Sequence, residues 1–470
     1  MKVLHVEDDK NWFERIVLPE LNGICTSIDH AENYEMAVSL LKQNIYEYVI
    51  LDQSIPLNDK QVVADVSFGI SLADHIKTVS PGTPILFLTG QSDEEAIEKY
   101  VEDQEQVVFW DGENRGLVKS RSKRRLVKVF ELIKGAKKCL EEVDSIELDL
   151  INGLVLTDLE KRVIRLFVKQ KGAFGAEVAI MGGGYSSSKV LKITLIDEHG
   201  NECLFALAKI DKHQKVDLDF RNFDEYISKL PVGCFPSVLG KYFAGCGNIK
   251  GVFYQFANNY KLDYFSLLKS NQEDTLIVLE KVLSLLKNWE NTQQVKDCSV
   301  KEIRQKIFPD SKLEKIDGYF DNEDLAKFED LEIRAKYSIQ HADLHGKNIL
   351  VSEGLNPILI DYGDISIAPS VLDIVTLELS PFFHNDMSDQ YNIDLEYFEN
   401  WFNDDLYIKG SPFPNIASYL REMKRSRTFL NKDYAATIYA YALRQLSYKD
   451  TNHEIAKILI TKAISKLSEC

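Results

Sequence analysis

The chain has 470 residues, 45% hydrophobic and 27% charged, too long for one ordinary core and too apolar for wholesale disorder, so two or more folded domains are expected. Its 56 basic and 73 acidic side chains give a formal net charge of −17, which repels a phosphate backbone and disfavours general nucleic-acid binding. Seven scattered cysteines with no CxxC pair exclude a zinc ribbon or a disulfide framework and suit reduced cytosolic thiols.

The opening "MKVLHVEDD" reaches acidic residues before a signal-peptide run forms. No later run approaches the roughly 20 apolar residues of a membrane span. A cytoplasmic protein without a membrane span is therefore expected.

Over residues 1–135, "KVLHV", "YVILD", "PILFLTG" and either "QVVFW" or "GLVKS" read as buried strands. Between them, "YEMAVSLLKQ", "GISLADHIK" and "DEEAIEKYVED" carry apolar residues at three-to-four spacing. Alternation of this kind predicts an α/β, flavodoxin-like doubly wound parallel sheet, with ligands at the carboxyl ends of its strands.

Those ends are chemically loaded. Glu7, Asp8 and Asp9 close the first strand and Asp52 closes "YVILD". Carboxylates gathered in one pocket repel unless a hard divalent cation, typically Mg²⁺, sits among them. Thr89 ends "ILFLT" with a hydroxyl and Lys119 ends "LVK" with an ammonium, completing a set suited to a transient acyl phosphate.

The stretches "VLHVEDD", "LDQSIP", "FLTG" and "LVKS" resemble the receiver domain of bacterial two-component response regulators. The resemblance implies Asp52 as phospho-acceptor, and Glu7, Asp8, Asp52 and the Ser54 carbonyl as metal ligands. It also implies Thr89 and Lys119 as switch residues and a sensor histidine kinase as partner, with a homodimer left open. The sequence departs from the pattern in the long stretch after Pro56, at Gly116, and at Ser120 after the lysine, which puts Thr/Tyr switching in doubt.

Beyond Lys119, the basic Arg121, Lys123, Arg124 and Arg125 read as the solvated face of a last helix, and residues 136–155 as a linker with helix. "LTDLEKRVIRLFVKQKG" opens the next part with a capping box, Thr157 and Glu160. It echoes the first helix of DNA-binding outputs, but the β-patterned, glycine-rich "GAEVAIMGGGYSSS" follows where a recognition helix is needed. Residues 156–262 read as a strand-rich lobe and 263–470 as a helical one.

Two segments of the second part hold the residues that phosphoryl transfer requires. "QHADLHGKN" offers Asp343 as the acceptor-facing base and Asn348 as a metal ligand, and "ILIDYGD" offers Asp361 as the main Mg²⁺ ligand. HxDxHxxN followed by an IDxG strand resembles aminoglycoside phosphotransferases, choline kinases and their relatives of the protein-kinase-like fold. The resemblance implies an α+β bilobal domain with Asp373 bracing the catalytic loop, His341 and His345 ordering it, and Lys209 on the nucleotide phosphates. Either Glu225 or Asp224 partners that lysine, and Phe256 and Ala257 sit at the adenine. Gly182, Gly183 and Gly184 permit tight turns, and Ser186, Ser187 and Ser188 offer donors to phosphates.

The expected function is a response regulator whose output is an ATP-dependent (or other nucleoside triphosphate-dependent) and Mg²⁺-dependent phosphotransferase controlled through Asp52, its acceptor a small molecule or a protein. A non-catalytic scaffold or nucleotide-sensing pseudokinase is the alternative, and a DNA-binding regulator the third reading. The acidic Asp386, Asp389, Asp394, Asp404 and Asp405 read as a solvated face rather than a site for a cationic acceptor.

Overall fold

Five short strands near the N-terminus build one parallel sheet, its three central ones apolar and its two edge ones mixed: β1 (Lys2–Val6), β2 (Ser27–Ala31), β3 (Tyr48–Asp52), β4 (Ile85–Thr89) and β5 (Val118–Ser122), in the order β2-β1-β3-β4-β5. The computed structural model describes residues 1–61, 63–90, 97, 100–181, 189–231, 233–256, 260, 262–316, 318, 328–388 and 394–469. They divide into two compact units, one of 1–181, 189–217 and 237–256, the other of 218–236 and 260–469.

β3 and β4 are buried along their whole length, as a strand covered on both faces must be. One face packs Leu4, Val6, Leu51 and Phe87 against Leu72 and Ile76 of α2 (Val66–Val79), which follows α1 (Tyr34–Gln43). Asn33 and Asp65 start these helices by accepting the amides of Met36 and Ser67. The other face packs Val3, Ile50 and Leu86 in a cluster with Val129 and Ile133 of α3 (Leu126–Asp144). Of the two runs offered for the fifth strand, the second forms it. Val107–Val108 instead pairs with Asn114–Arg115 in a separate hairpin.

A six-stranded sheet follows: β6 (Glu147–Leu150), β7 (Gly175–Ile180), β8 (Lys189–Ile196), β9 (Glu202–Lys212), β10 (Val238–Tyr242) and β11 (Ile249–Gln255), in the order β10-β11-β9-β8-β7-β6. The capping box forms as read. Thr157 Oγ1 accepts the Glu160 amide at 3.3 Å, and Glu160 accepts the Thr157 amide at 2.7 Å, starting α4 (Asp158–Gln170). α5 (His213–Glu225) links β9 to β10. Strands β7 and β8 stand where a DNA-binding output would need its recognition helix.

The segment read as a linker with helix holds that helix, and its second half adds a strand. α3 is one 19-residue helix, and β6 joins the second sheet by pairing in parallel with β7. One apolar cluster runs from Leu86 and Ile133 through Leu140 and Val143 of α3 into Val163 and Phe167 of α4 and Phe253 of β11. Trp110, fully buried, donates its indole N–H to the Ala244 carbonyl at 2.9 Å. The Gly82 and Gly245 backbones approach closely, with the Gly245 amide 2.7 Å from the Gly82 carbonyl. A Cβ at Gly82 would lie 2.1 Å from the Phe243 carbonyl oxygen. Burying one large apolar side chain contributes about 1.5–3 kcal/mol, so the apolar cluster is a main source of this joint's stability.

The second unit holds the three-stranded sheet of β12 (Gln294–Ser299), β13 (Glu332–Gln340) and β16 (Ser366–Pro369), with the hairpin β14 (Ile349–Val351) and β15 (Pro357–Leu359). α6 (Tyr264–Ser270), the wholly buried α7 (Leu372–Phe383), α8 (Lys432–Leu446) and α9 (His453–Ser468) surround them. No described helix is long and apolar enough to cross a membrane.

Candidate functional site

The first site forms at the carboxyl edge of the parallel sheet. Val6 of β1 pairs with Leu51 of β3, so Glu7 and Asp52 leave their strands side by side. One ligand oxygen each from Glu7, Asp8 and Asp52 lies within 4.8 Å of the others. Glu7 and Asp52 are buried and Asp8 is exposed. Asp9 stands apart, its carboxylate accepting the Trp12 amide at 2.9 Å as a helix cap.

Burial, then the Asp52 charge, pushes the Glu7 carboxyl up to about 7. Asp52 is raised chiefly by burial, against the pull of Lys123 and the Ser54 amide. Three crowded carboxylates, with burial disfavouring the charged forms of Glu7 and Asp52, fit a hard divalent cation, which takes carboxylate oxygens and removes the repulsion. Lys123 supplies the cation already present. Its Nζ is 2.7 Å from Glu7 Oε2 and 2.8 Å from Asp52 Oδ2. Burial works against this ammonium, but Asp52 and Glu7 outweigh it and raise its pKa.

Lys119 is therefore corrected as the pocket lysine. The parallel register pairs Leu86 with Lys119 and Thr89 with Ser122, so β5 runs three residues past Lys119 and the cation at its end is Lys123. Lys119 Nζ instead lies 6.0 Å from the Phe109 ring centroid, its pKa lowered by burial. The signal was present in the basic run after the strand, which composition alone assigned to a solvated face. Thr89 is buried at the end of β4. It stands one residue past Leu88, the register partner of Asp52.

The second site lies wholly in the second unit. Ile349 pairs with Leu359 across the β14–β15 hairpin, and the Ile360 amide donates to the Asn348 carbonyl at 3.1 Å, so Asn348 and Asp361 emerge at the same hairpin end. Asn348 Nδ2 donates to the Asp343 carbonyl at 2.8 Å, which leaves its side-chain oxygen as the atom suited to a metal. Asp373, at the start of α7, accepts the His341 and Ala342 amides on its two carboxylate oxygens, both at 2.9 Å. His341 Nε2 lies 3.1 Å from the Ile360 carbonyl and ties the loop to the Asp361 strand. Ala342 and Asp361 both adopt left-handed backbone, with φ of 64° and 63°, a conformation that costs a non-glycine residue about 1–3 kcal/mol. Gly346 gives the loop room, because a Cβ there would lie 2.2 Å from the Phe265 ring.

His345 Nδ1 accepts the Lys347 amide at 3.2 Å, which puts the ring proton on Nε2, 3.6 Å from Asp343 Oδ2. Burial lowers its pKa and favours the neutral ring. Three partners of the site's segments were not read from the sequence. Arg444 Nη2 donates to Asp343 Oδ1 at 2.8 Å. Asp219 of α5 accepts the Tyr362 amide at 2.9 Å, while Asn222 donates to the Tyr362 carbonyl at 2.8 Å.

Glu225 and Asp224 are both exposed in the last turn of α5, whose buried positions include Val216, Asp219, Asn222 and Phe223. The helix's buried carboxylate is thus Asp219, and Glu225 is corrected as its inward-facing acid. In the first unit, Lys209 is buried on β9 between Val190 and Val252. Phe256 is also buried, its amide donating to the Phe205 carbonyl at 3.0 Å. Gly182, Gly183, Gly184, Ser186, Ser187, Ser188 and Ala257 lie outside the described residues.

No protein-family model matches the chain, and no curated protein does. Among solved structures it is similar to a two component transcriptional regulator AraC from Clostridium phytofermentans ISDg, at 17% identity over 30% of this chain and 96% of that one, TM-score 0.23. A response regulator receiver domain protein from Clostridium thermocellum matches at 18% identity over 30% of this chain and 98% of that one, TM-score 0.22. The receiver domain of the Francisella response regulator 1452 matches at 21% identity over 29% and 96%, TM-score 0.22. The N-terminal domain is receiver-like in fold. Its five parallel strands in the order β2-β1-β3-β4-β5 and the acidic pocket at their carboxyl ends carry that statement independently of these likenesses.

Proposed function

We propose that the chain is a response regulator phosphorylated on Asp52, with an ATP- and Mg²⁺-dependent phosphotransferase as its output. For the receiver part, the supporting observation is Glu7, Asp8 and Asp52 gathered within 4.8 Å with Lys123 against two of them. Phosphorylation adds about −1.5 to −2 charges there, and Lys123 is the group placed to meet them. A sensor histidine kinase is the corresponding donor.

For the output, the observation that carries the reading is the Asp343–Asn348–Asp361 constellation, held on a strained loop and braced by Asp373. Asn348 and Asp361 would hold Mg²⁺, which when bound neutralises charge on the nucleotide phosphates. Asp343 would orient the acceptor hydroxyl and take its proton. Strain of this kind persists only where surrounding contacts over-determine it, and it concentrates at functional sites.

Asp361→Ala is expected to abolish Mg²⁺-dependent ATP binding in a calorimetric titration of the full chain, with Asp52→Ala binding as the wild type does. Unchanged binding in Asp361→Ala would remove the metal-ligand reading. Absence of binding in the wild type would leave the scaffold reading instead.

In the receiver, Lys123→Ala is expected to reduce phosphoprotein formed from a small acyl phosphate by about 10–150-fold, equivalent to one charge-assisted contact of about 1.5–3 kcal/mol. Lys119→Ala should stay within about threefold of wild type, since it removes no such contact. Separation on a phosphate-affinity gel reads both. An equal loss in the two variants would contradict the assignment of Lys123.

A further inference from the structure

We propose that Arg444 is the residue that positions Asp343, an inference that rests on reading Asp343 as the acceptor-facing carboxylate. Arg444 stands near the end of α8, about a hundred residues away in sequence, and its guanidinium grips two consecutive groups of the loop. Nη1 donates to the Ala342 carbonyl at 3.3 Å and Nη2 to Asp343 Oδ1 at 2.8 Å. Nε donates to the Tyr448 hydroxyl at 3.2 Å, which orients the fork, and Asp364 Oδ2 lies 3.8 Å from Nη2.

The turn it grips is the strained one. Ala342 has a φ of 64°, and its amide and that of His341 are already taken by Asp373. Asp373 thus holds the N–H side of the turn, and Arg444 holds the carbonyl and carboxylate side. With Oδ1 anchored, Asp343 cannot rotate freely, and Oδ2 is left on the side of His345 Nε2, 3.6 Å away. The two carboxylate oxygens therefore have separate tasks: Oδ1 sets direction, and Oδ2 meets the acceptor hydroxyl. A planar guanidinium spans both loop groups from one side chain, whereas an ammonium offers a single point charge.

The test compares the full-length wild type with Arg444→Ala and Arg444→Lys. Amide hydrogen exchange is read over residues 341–345, and Mg-ATP binding and slow hydrolysis to ADP and phosphate are read alongside. Arg444→Ala is expected to speed exchange locally by about tenfold or more, because the protected His341 and Ala342 amides lose one side of their clamp. Hydrolysis should fall by about 10²-fold, the cost of a small misplacement of a reacting group, while the Mg-ATP dissociation constant moves less than about threefold. Arg444→Lys should fall between, and added guanidinium ion should restore part of the activity of Arg444→Ala.

Unchanged exchange at 341–345 overturns the inference even if hydrolysis falls. Faster exchange spread over the whole unit also overturns it, because that marks a purely structural role. If the wild type neither binds nor hydrolyses Mg-ATP, the phosphotransfer reading fails, and the exchange data alone then decide whether Arg444 positions the loop.

Discussion

Arg162→Ala is expected to destabilise the receiver-like domain and the strand-rich lobe together, by about 1.5–3 kcal/mol, the range for losing hydrogen bonds to charged groups, because the guanidinium is buried and its partners Glu47 and Asp144 are half-buried. Arg162 lies on α4, and its side chain is 7% exposed, so solvent does little to compensate for its loss. Nε and Nη2 donate to the two oxygens of Asp144 at 2.9 and 2.6 Å, Nη2 also reaches Glu47 Oε1 at 2.6 Å, and Nη1 donates to the Gly245 carbonyl at 2.8 Å. Glu47 belongs to the parallel-sheet domain, Asp144 to the end of α3, and Gly245 to the loop between β10 and β11. One guanidinium therefore ties three segments of the joint.

For a unit of this size the loss corresponds to a fall in melting temperature of about 2–4 °C per kcal/mol. Fluorescence reads the joint through Trp110, whose indole is buried there against Ala244, once Trp12, Trp289 and Trp401 are replaced by Phe. Glu47→Gln should cost far less. Its side chain is 21% exposed, water compensates part of its loss, and Asp144 still holds the guanidinium. A change below about 1 kcal/mol in Arg162→Ala, the range of an exposed pair, would show that the joint is held by apolar packing alone.

On the proposed phosphotransferase reading, Asp343→Asn should lower the rate of phosphoryl transfer from Mg-ATP by about 10²–10⁴-fold, the range for losing a positioned general base. The substitution keeps the shape and the contact to Arg444 through the amide oxygen, but it removes the negative charge and the capacity to take a proton. Burial opposes ionisation of this carboxyl, yet Arg444, by charge and hydrogen bond, together with the His345 and His341 rings outweighs it and holds the pKa below the usual carboxylate range. Asp343 is therefore held as an ionised, strongly oriented carboxylate rather than as a group poised near neutrality. Mg-ATP binding should be kept in Asp343→Asn and lost in Asp361→Ala. That contrast separates the acceptor side of the site from the metal side. Equal loss of binding in both variants would mean that Asp343 supports the loop rather than the chemistry.

Much of this was legible in the sequence where the signal is local. Strand ends follow from apolar runs, so Glu7 and Asp52 could be placed at one edge, and the hairpin from Ile349 to Leu359 brings Asn348 and Asp361 together. The Thr157–Glu160 box is a four-residue rule and formed as read. Signals that depend on register or tertiary packing were lost. Lys119 and Lys123 differ only in where β5 ends, which the pairing of Thr89 with Ser122 decides. Glu225 and Asp219 differ only in which face of α5 is buried. Arg444, about a hundred residues from Asp343, carries no mark in its own segment. The joint through Trp110, Arg162 and Gly245 depends on three sequence-distant segments packing as one, which no window of the sequence displays.

The measurement that bears most directly on the account is Mg-ATP turnover by the full chain before and after treatment with a small acyl phosphate, in wild type and in Asp52→Ala. The prediction is that the wild type acquires one acid-labile phosphate and its turnover changes by about 5–150-fold, as a coupling of about 1–3 kcal/mol gives, while Asp52→Ala acquires none and does not respond. Turnover that stays constant while Asp52 is phosphorylated would contradict a phospho-switch controlling a phosphotransferase.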